Sequence, residues 1–309
     1  MKNIWIVIVN YNTEEYVKKC LSSIEKLEKE NFSLNTIVVN NKSERKPVLQ
    51  LTSYVRKNYP EIFFIVNEKN VGFSGGNNIG ISFALKKEAD YVLLLNSDTC
   101  VHPTLIRELF EVFEQDNAIG IVAPKIYFAK GFEFHKSKYS QEDLGNVLWY
   151  AGGEMDWKNV IGFHRGVDEV DHGQYDTVGE TQIATGCCMI IKKEVFKKVG
   201  MFDERYFLYY EDADLSVRSR KAGFKILFTP RAFLWHKNAS STGGSGSALQ
   251  DYYITRNRLL FGMTYAQSRS KYSLVKESMR MLLTGRKWQK RGVIDFYLRR
   301  FGKGSFSIA

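Results

Sequence analysis

The sequence lacks the marks of several large protein classes. No apolar run approaches the roughly 20 residues that cross a bilayer, and the longest uncharged stretches are short segments such as residues 4–9 and 91–95. A secretory leader is not expected, because the six apolar residues soon after Lys2 run straight into Asn10-Tyr11-Asn12. Only four cysteines occur, Cys20, Cys100, Cys187 and Cys188, without metal or disulfide spacing. A reducing cytoplasm is the simplest expectation. There is no internal repeat, and low complexity is confined to the Ser/Gly-rich stretch 238–247. Acidic residues are scarce at one end. Residues 264–309 hold eleven Lys and Arg against Glu277 and Asp295, so about +9 of the net charge of +10 lies there. The rest is almost neutral. A nucleic-acid-binding domain would carry its positive field along a face or groove, so no nucleic acid partner is expected.

What is present is a globular composition, 44% hydrophobic and 25% charged, which excludes a wholly disordered chain. Apolar runs at 4–9, 35–40, 62–67, 91–95 and 119–124 alternate with helix-like segments after Thr13 and near 45–58, 75–87 and 103–115. That rhythm predicts βα units building a mostly parallel sheet, with Thr13 capping the first helix. After Pro124 the pattern breaks into a region (125–182) suited to short antiparallel strands and long loops. A strand at 187–191, a helix at 194–199 and a helix at 211–222 closed by Gly223 are expected next. Short strands at 224–228 and 232–235 and a helix near 249–263 follow. The basic tail has helical periodicity in two pieces broken near Gly285.

Ligands of open parallel sheets bind beyond the carboxyl ends of the strands. The segments there are Asn10-Tyr11-Asn12, Asn40-Asn41, Asn70 to Asn78 and Asn96-Ser97-Asp98, all polar. Asp98 leaves the sheet at the tip of a strand. A Mg²⁺ or Mn²⁺ ion on a nucleotide diphosphate needs only one or two protein carboxylates, although an Asp capping the next helix accounts for the same residue. The glycines of Asn70–Asn78 allow close approach of a ligand to a helix N-terminus. Neither a P-loop nor a G-x-G-x-x-G spacing is present. Three carboxylates, Glu211, Asp212 and Asp214, crowd the first turn of one predicted helix, where the dipole favours their ionised forms. An i,i+4 pair with Arg218 explains Asp214 and leaves Glu211 and Asp212, the spacing of a general base beside a residue that holds the turn. His236 ends a strand before a hydroxyl-rich loop suited to phosphate, and imidazole is a reasonable further ligand for Mn²⁺. Trp149, Trp157, Tyr209 and Trp235 offer aromatic surface either to a sugar or to the core.

These segments resemble the family 2 glycosyltransferases of the GT-A fold, particularly bacterial rhamnosyltransferase-like members. The matching stretches are VIVNYN (7–12), VVNNKS (38–43), NVGFSGGNN (70–78), LNSDT (95–99), TGCCMII (185–191), GMFDERYFLYYEDADLSVR (200–218), 228–236 and YITRNRL (253–259). The resemblance implies an α/β protein with a Rossmann-like, mostly parallel central sheet, a smaller antiparallel acceptor-side region and a C-terminal helical tail. Residues 1–263 would form the catalytic domain, with 1–124 its nucleotide-binding half and 125–263 its acceptor half, and 264–309 the tail. It implies inverting transfer of a sugar from a UDP- or dTDP-type nucleotide sugar to a hydroxyl of a saccharide or lipid-linked saccharide. By that analogy Asp98 and His236 are metal ligands for Mn²⁺ or Mg²⁺, and Asp212, with Glu211 beside it, is the base. The donor site takes in Val9, Tyr11, Asn40, Asn70, Gly75, Asn78, Asn96, Ser97, Ser241 and Arg256. Tyr11 corresponds to the residue that packs on the base. Asn40 stands where the family usually has an Asp accepting the N3–H of uracil or thymine, a departure that an Asn oxygen could still serve.

Two rival readings fit the sequence less well. A nucleotidyltransferase would want a basic, Gly-rich signature after the first strand. A catalytically silent nucleotide-sugar or glycan-binding module would have lost Asp98 or Asp212, and both are present. The tail interleaves apolar and basic residues, a pattern suited to helices on an anionic membrane surface or to packing on this domain or a second copy of the chain.

Overall fold

The computed structural model describes residues 1–29, 32–238 and 246–307. The first part runs β1 (Lys2–Asn10), α1 (Glu14–Ile24), β2 (Phe32–Asn40), α2 (Arg45–Asn58), β3 (Phe63–Val66), α3 (Gly72–Lys86), β4 (Tyr91–Asn96), β5 (Thr99–Val101), α4 (Leu105–Phe113) and β6 (Ile119–Phe128). Strands β3, β2, β1 and β4 lie side by side and parallel. Residues 4–8 of β1 and 92–95 of β4 are buried throughout, as strands covered by helices on both faces require.

The second part adds β7 (Leu148–Tyr150), β8 (Gly153–Asp156), β9 (Ile161–His164), β10 (Gly179–Glu180), β11 (Cys188–Lys192), α5 (Lys193–Val199), α6 (Glu211–Lys221) and β12 (Lys225–His236). Strand β11 pairs antiparallel with β4 and with β6, which extends the parallel half into a ten-stranded mixed sheet, while β8 and β9 form a small antiparallel pair. Two predicted short strands are one, β12. Its pairing with β6 breaks between Thr229 and Phe233, where Pro230 has no N–H to give the ladder. The hydroxyl of Thr13 does not cap α1. It donates to Asn10 Oδ1 and lies 2.9 Å from Ser97 Oγ.

The glycine-rich segment lies inside α3, which starts at Gly72. A Cβ at Gly76 would stand 2.9 Å from Val9 Cγ1, and one at Gly80 would collide with Val7 Cγ1. These glycines let the helix settle onto β1, so their role is packing rather than ligand approach.

The C-terminal part consists of α7 (Ala248–Tyr265), α8 (Ser268–Thr284) and α9 (Lys287–Tyr297). Helix α9 lies against α7, with Val293 and Asp295 fully buried. Arg258 of α7 forms a forked pair with Glu277 of α8 at 2.8 and 2.9 Å. Asp295 accepts from Tyr252 Oη and Ser305, and these bonds outweigh the upward push of burial and hold its carboxyl below the usual range. No helix among the described residues is long and apolar enough to cross a membrane.

Candidate active site

The carboxyl ends of β1, β2 and β4 open at one edge of the sheet, and β5 carries the chain from Asp98 back against β12. Thr99 pairs with His236. That pairing sets Asp98 Oδ1 3.1 Å from His236 Nε2. Asp98 therefore caps no helix. His236 is buried, its ring meeting Trp149 edge-on at 4.6 Å. Its Nδ1 has no hydrogen-bond partner.

The predicted acidic helix is α6, and its first turn reaches the same place from the other side. Asp212 Oδ2 accepts from the backbone N–H of Gly186 at 3.0 Å and Oδ1 from that of Ala213 at 2.8 Å. The next carbonyl along, that of Cys187, accepts from Asn96 N at 2.8 Å. Gly186-Cys187 is thus a short backbone bridge between Asp212 and the strand end that carries Asp98. The buried Cys187 thiol reports both carboxylates, being pushed well above its ordinary value by burial and by the charges of Asp98 and Asp212. Burial likewise raises Asp212, against the pull of the Gly186 and Ala213 N–H groups. Glu211 is buried with Oε2 unpartnered and is raised well above the carboxylate range by burial and by Asp212 beside it. Burial thus disfavours the charged form of both carboxyls, and only Asp212 has backbone N–H bonds, from Gly186 and Ala213, that pull the other way. Asp214 forms the expected pair with Arg218 at 2.7 Å.

The turn before α6 is strained. Phe207, Tyr209 and Tyr210 all have positive φ, at 65, 69 and 73°, an uncommon backbone for bulky residues. Helix α7 holds it in place. Asn257 Nδ2 donates to the carbonyls of Tyr206, Leu208 and Tyr209 at 2.7, 2.8 and 2.8 Å. Arg256 donates to those of Arg205, Tyr206 and Gly302 at 3.1, 3.0 and 2.7 Å.

The structure revises several expected donor contacts. Arg256 is fully buried with its guanidinium spent on these carbonyls, so it supports the acidic turn and does not face a phosphate. Asn78 is used up on the 202–204 segment, donating to Phe202 O and Glu204 Oε1 and accepting from Phe202 N. Gly75 faces Val71 inside α3. Ser97 is buried, its hydroxyl 2.9 Å from that of Thr13. Ser241 lies outside the described residues. Tyr11, 40% exposed, Asn70 and Asn96 remain at the open edge, and Val9 is half-buried behind Gly76. Asn40 keeps its place at the end of β2, but its oxygen is turned inward to accept from Asn10 Nδ2 at 2.8 Å. Asn41 secures the 70–72 segment, donating to Asn70 Oδ1 and Gly72 O and accepting from Val71 N. The bracing roles of Asn10, Asn41, Gly186 and Asn257 were not read from the sequence. For Asn10 and Asn41 the signal is an amide closing an apolar run, and for Gly186 and Asn257 there is none.

A mostly parallel sheet extended by antiparallel strands, with a small antiparallel pair and C-terminal helices, is the GT-A arrangement. The chain belongs to glycosyltransferase family 2, whose profile, described as glycosyl transferase family 2, matches residues 5–200. A hexosyltransferase of low-salt glycan biosynthesis, Agl10 of Haloferax volcanii, is 28% identical over 258 residues, covering 82% of this chain and 74% of that protein. The dTDP-rhamnosyl transferase RfbF of Shigella flexneri is 26% identical over 84% of this chain and 79% of its own length. Among solved structures, GalNAc-T7 with UDP, GalNAc and Mn²⁺ shares the fold with a TM-score of 0.61 at 16% identity, over 96% of this chain and 58% of the longer one.

Proposed function

We propose that the protein is an inverting glycosyltransferase that moves a hexosyl or deoxyhexosyl group from a UDP- or dTDP-type donor to a hydroxyl of a cell-surface glycan or lipid-linked saccharide. The observation that carries this reading is the pair of carboxylates, Asp98 and Asp212, held about one backbone bridge, Gly186-Cys187. Two separated carboxylates suit two tasks. Asp212 takes the proton of the acceptor hydroxyl as its oxygen attacks the anomeric carbon from the face opposite the diphosphate, and the carbon–oxygen bond to the diphosphate breaks. No covalent bond to the protein is needed.

The donor set at Asp98 suits a divalent ion. A carboxylate oxygen and an imidazole nitrogen are ordinary ligands of Mn²⁺, and Asp98 Oδ1 and His236 Nε2, 3.1 Å apart, are the atoms that would hold it. Ions of this kind bound to nucleotides need only one or two protein ligands and take phosphate oxygens and water besides, so the pair would suffice. When bound, such an ion offsets the charge collecting on the leaving diphosphate. Mn²⁺ and UDP in the GalNAc-T7 structure support this reading. A screen of nucleotide sugars with Mn²⁺, read by thermal shift and donor hydrolysis, is expected to give saturable use of one donor. Asp98→Ala is expected to weaken metal-assisted donor binding roughly 10–100-fold, and unchanged metal dependence would remove Asp98 from the site.

A lipid-linked acceptor gives the C-terminal helices a purpose. On α8, Tyr272, Lys276, Met279 and Leu283 recur at i, i+4, i+7 and i+11 and so share one face. Tyr272 and Leu283 are 72% and 80% exposed, flanked by exposed Arg269 and Arg280. Apolar side chains between cations suit a peripheral contact with anionic lipid. Flotation with vesicles containing phosphatidylglycerol is expected to carry the protein up, and Arg269→Glu, Lys276→Glu and Arg280→Glu together to abolish it. Equal flotation of both proteins refutes the contact.

A further inference from the structure

The polarity of the nucleobase contact can be read from the orientation of the amides at the ends of β1 and β2. Two donors of fixed identity anchor the chain of bonds. The backbone N–H of Thr13 donates to Asn10 at 3.1 Å, so the atom it meets is the side-chain oxygen. The Thr13 hydroxyl meets that same oxygen at 2.9 Å. The other side-chain atom of Asn10 is therefore the NH₂. It donates to Asn40 at 2.8 Å, the shortest of its contacts, and shares its other hydrogen between Ser43 Oγ and Glu14 Oε1, each at 3.1 Å; Ser43 Oγ also accepts from the backbone N–H of Asn12 at 2.8 Å. The atom of Asn40 that faces Asn10 has to be its oxygen. Turning the Asn40 amide over would set two NH₂ groups against each other in a buried place, an arrangement that costs a hydrogen bond and leaves a donor unsatisfied. Among the described residues nothing takes Asn40 Nδ2, so the polar atom that residue 40 has left for a ligand is a donor.

Resting on the reading that the nucleoside lies at the ends of β1 and β2 beside Tyr11, we propose that Asn40 is a specificity-determining residue that donates to an acceptor on the base. The edge centred on ring position 3 decides the outcome. Uracil and thymine carry N3–H there, which faces a donor unfavourably and leaves only the flanking carbonyls to accept. Cytosine carries a bare N3, which accepts. An aspartate at position 40 would keep the bond from Asn10 with one oxygen and present the other as an acceptor, which suits N3–H. The pattern at this site is thus opposite to that of a uridine-selective carboxylate: uracil or thymine of the proposed donor is held through a flanking carbonyl, and cytosine is admitted as well.

The test is binding of UDP, TDP and CDP, each with Mn²⁺, to three proteins by calorimetry. The unaltered protein is expected to bind CDP as tightly as UDP or TDP, within about tenfold. Asn40→Asp is expected to shift the ratio at least tenfold toward UDP and TDP. Asn10→Asp leaves residue 40 unchanged but replaces the inward donor with an acceptor. It is expected to turn the Asn40 amide over and shift the ratio the same way. A purely structural role for the amide pair would weaken all three ligands alike. The proposal is overturned if the unaltered protein already favours UDP and TDP over CDP by more than tenfold, or if both variants leave the ratio unmoved. Failure of all three nucleotides to bind the unaltered protein would instead overturn the nucleotide-sugar reading beneath it.

Discussion

Asp212→Asn is expected to lower the rate of sugar transfer by about 10²–10⁴-fold, the usual contribution of a general base, while fold and nucleotide binding stay intact. The substitution keeps one oxygen to accept from Gly186 N, and so preserves the bridge to the end of β4, while giving up the local bond from Ala213 N. What it removes is proton affinity. Burial raises the Asp212 carboxyl from its ordinary value, and a base works only when deprotonated. Activity should therefore fall on the acid side at a higher pH than an unperturbed aspartate would give, and full activity should return as pH rises through the elevated value. In Asp212→Asn that acid limb should vanish from the residual rate. Steady-state rates across pH, with nucleotide binding measured in parallel, check both parts. Near-normal turnover would remove Asp212 from the reaction.

Asn257→Ala is expected to destabilise the protein by about 2–4 kcal/mol, because it leaves buried carbonyls without their donor. Three carbonyls, those of Tyr206, Leu208 and Tyr209, depend on one NH₂ group. Tyr206 O keeps a second bond from Arg256 at 3.0 Å, which limits the loss. The freed turn is the one that holds Phe207, Tyr209 and Tyr210 at positive φ, and it should relax and carry Glu211 and Asp212 with it. A small error in placement at the base is costly. The expected signature is a lower thermal midpoint and a kcat reduced well beyond any change in donor KM or nucleotide affinity, since the turn meets the nucleotide edge only at the start of α3, where Phe207 O accepts from Ser74 N at 3.2 Å. Loss of donor affinity in proportion to kcat would show that the turn does not act through the base.

The parts of the fold that could be read from the sequence are those where one local signal suffices. The apolar runs behind β1, β2 and β4 are complete because both faces of those strands are covered, and Glu211 through Arg218 show helical spacing together with the ion pair that satisfies Asp214. Strand β5 could not be seen. It is three residues, Thr99–Val101, and exists only because β12 returns beside it. The glycines of α3 mislead because a glycine that admits a ligand and one that admits a neighbouring strand look the same until the side chains of Val7 and Val9 are in place. Arg256 misleads for a related reason. A positive charge beside a donor site reads as a phosphate contact, whereas here neutral carbonyls from residues remote in the chain consume it. Side-chain amides carry the least local information of all, since which atom of Asn40 faces outward is decided by a backbone N–H at residue 13.

The clasp between α7, α9 and the turn at 205–210 bears on how this protein can be recombined with its relatives. Arg256 reaches Gly302 O with the same guanidinium that braces Tyr206, and Tyr252 shares Asp295 with Ser305. A chimera that exchanges tails at residue 263 would therefore inherit a mismatched socket beneath the turn that carries Asp212. A graft that moves residues 246–307 as one cassette, together with 203–210, would carry plug and socket together.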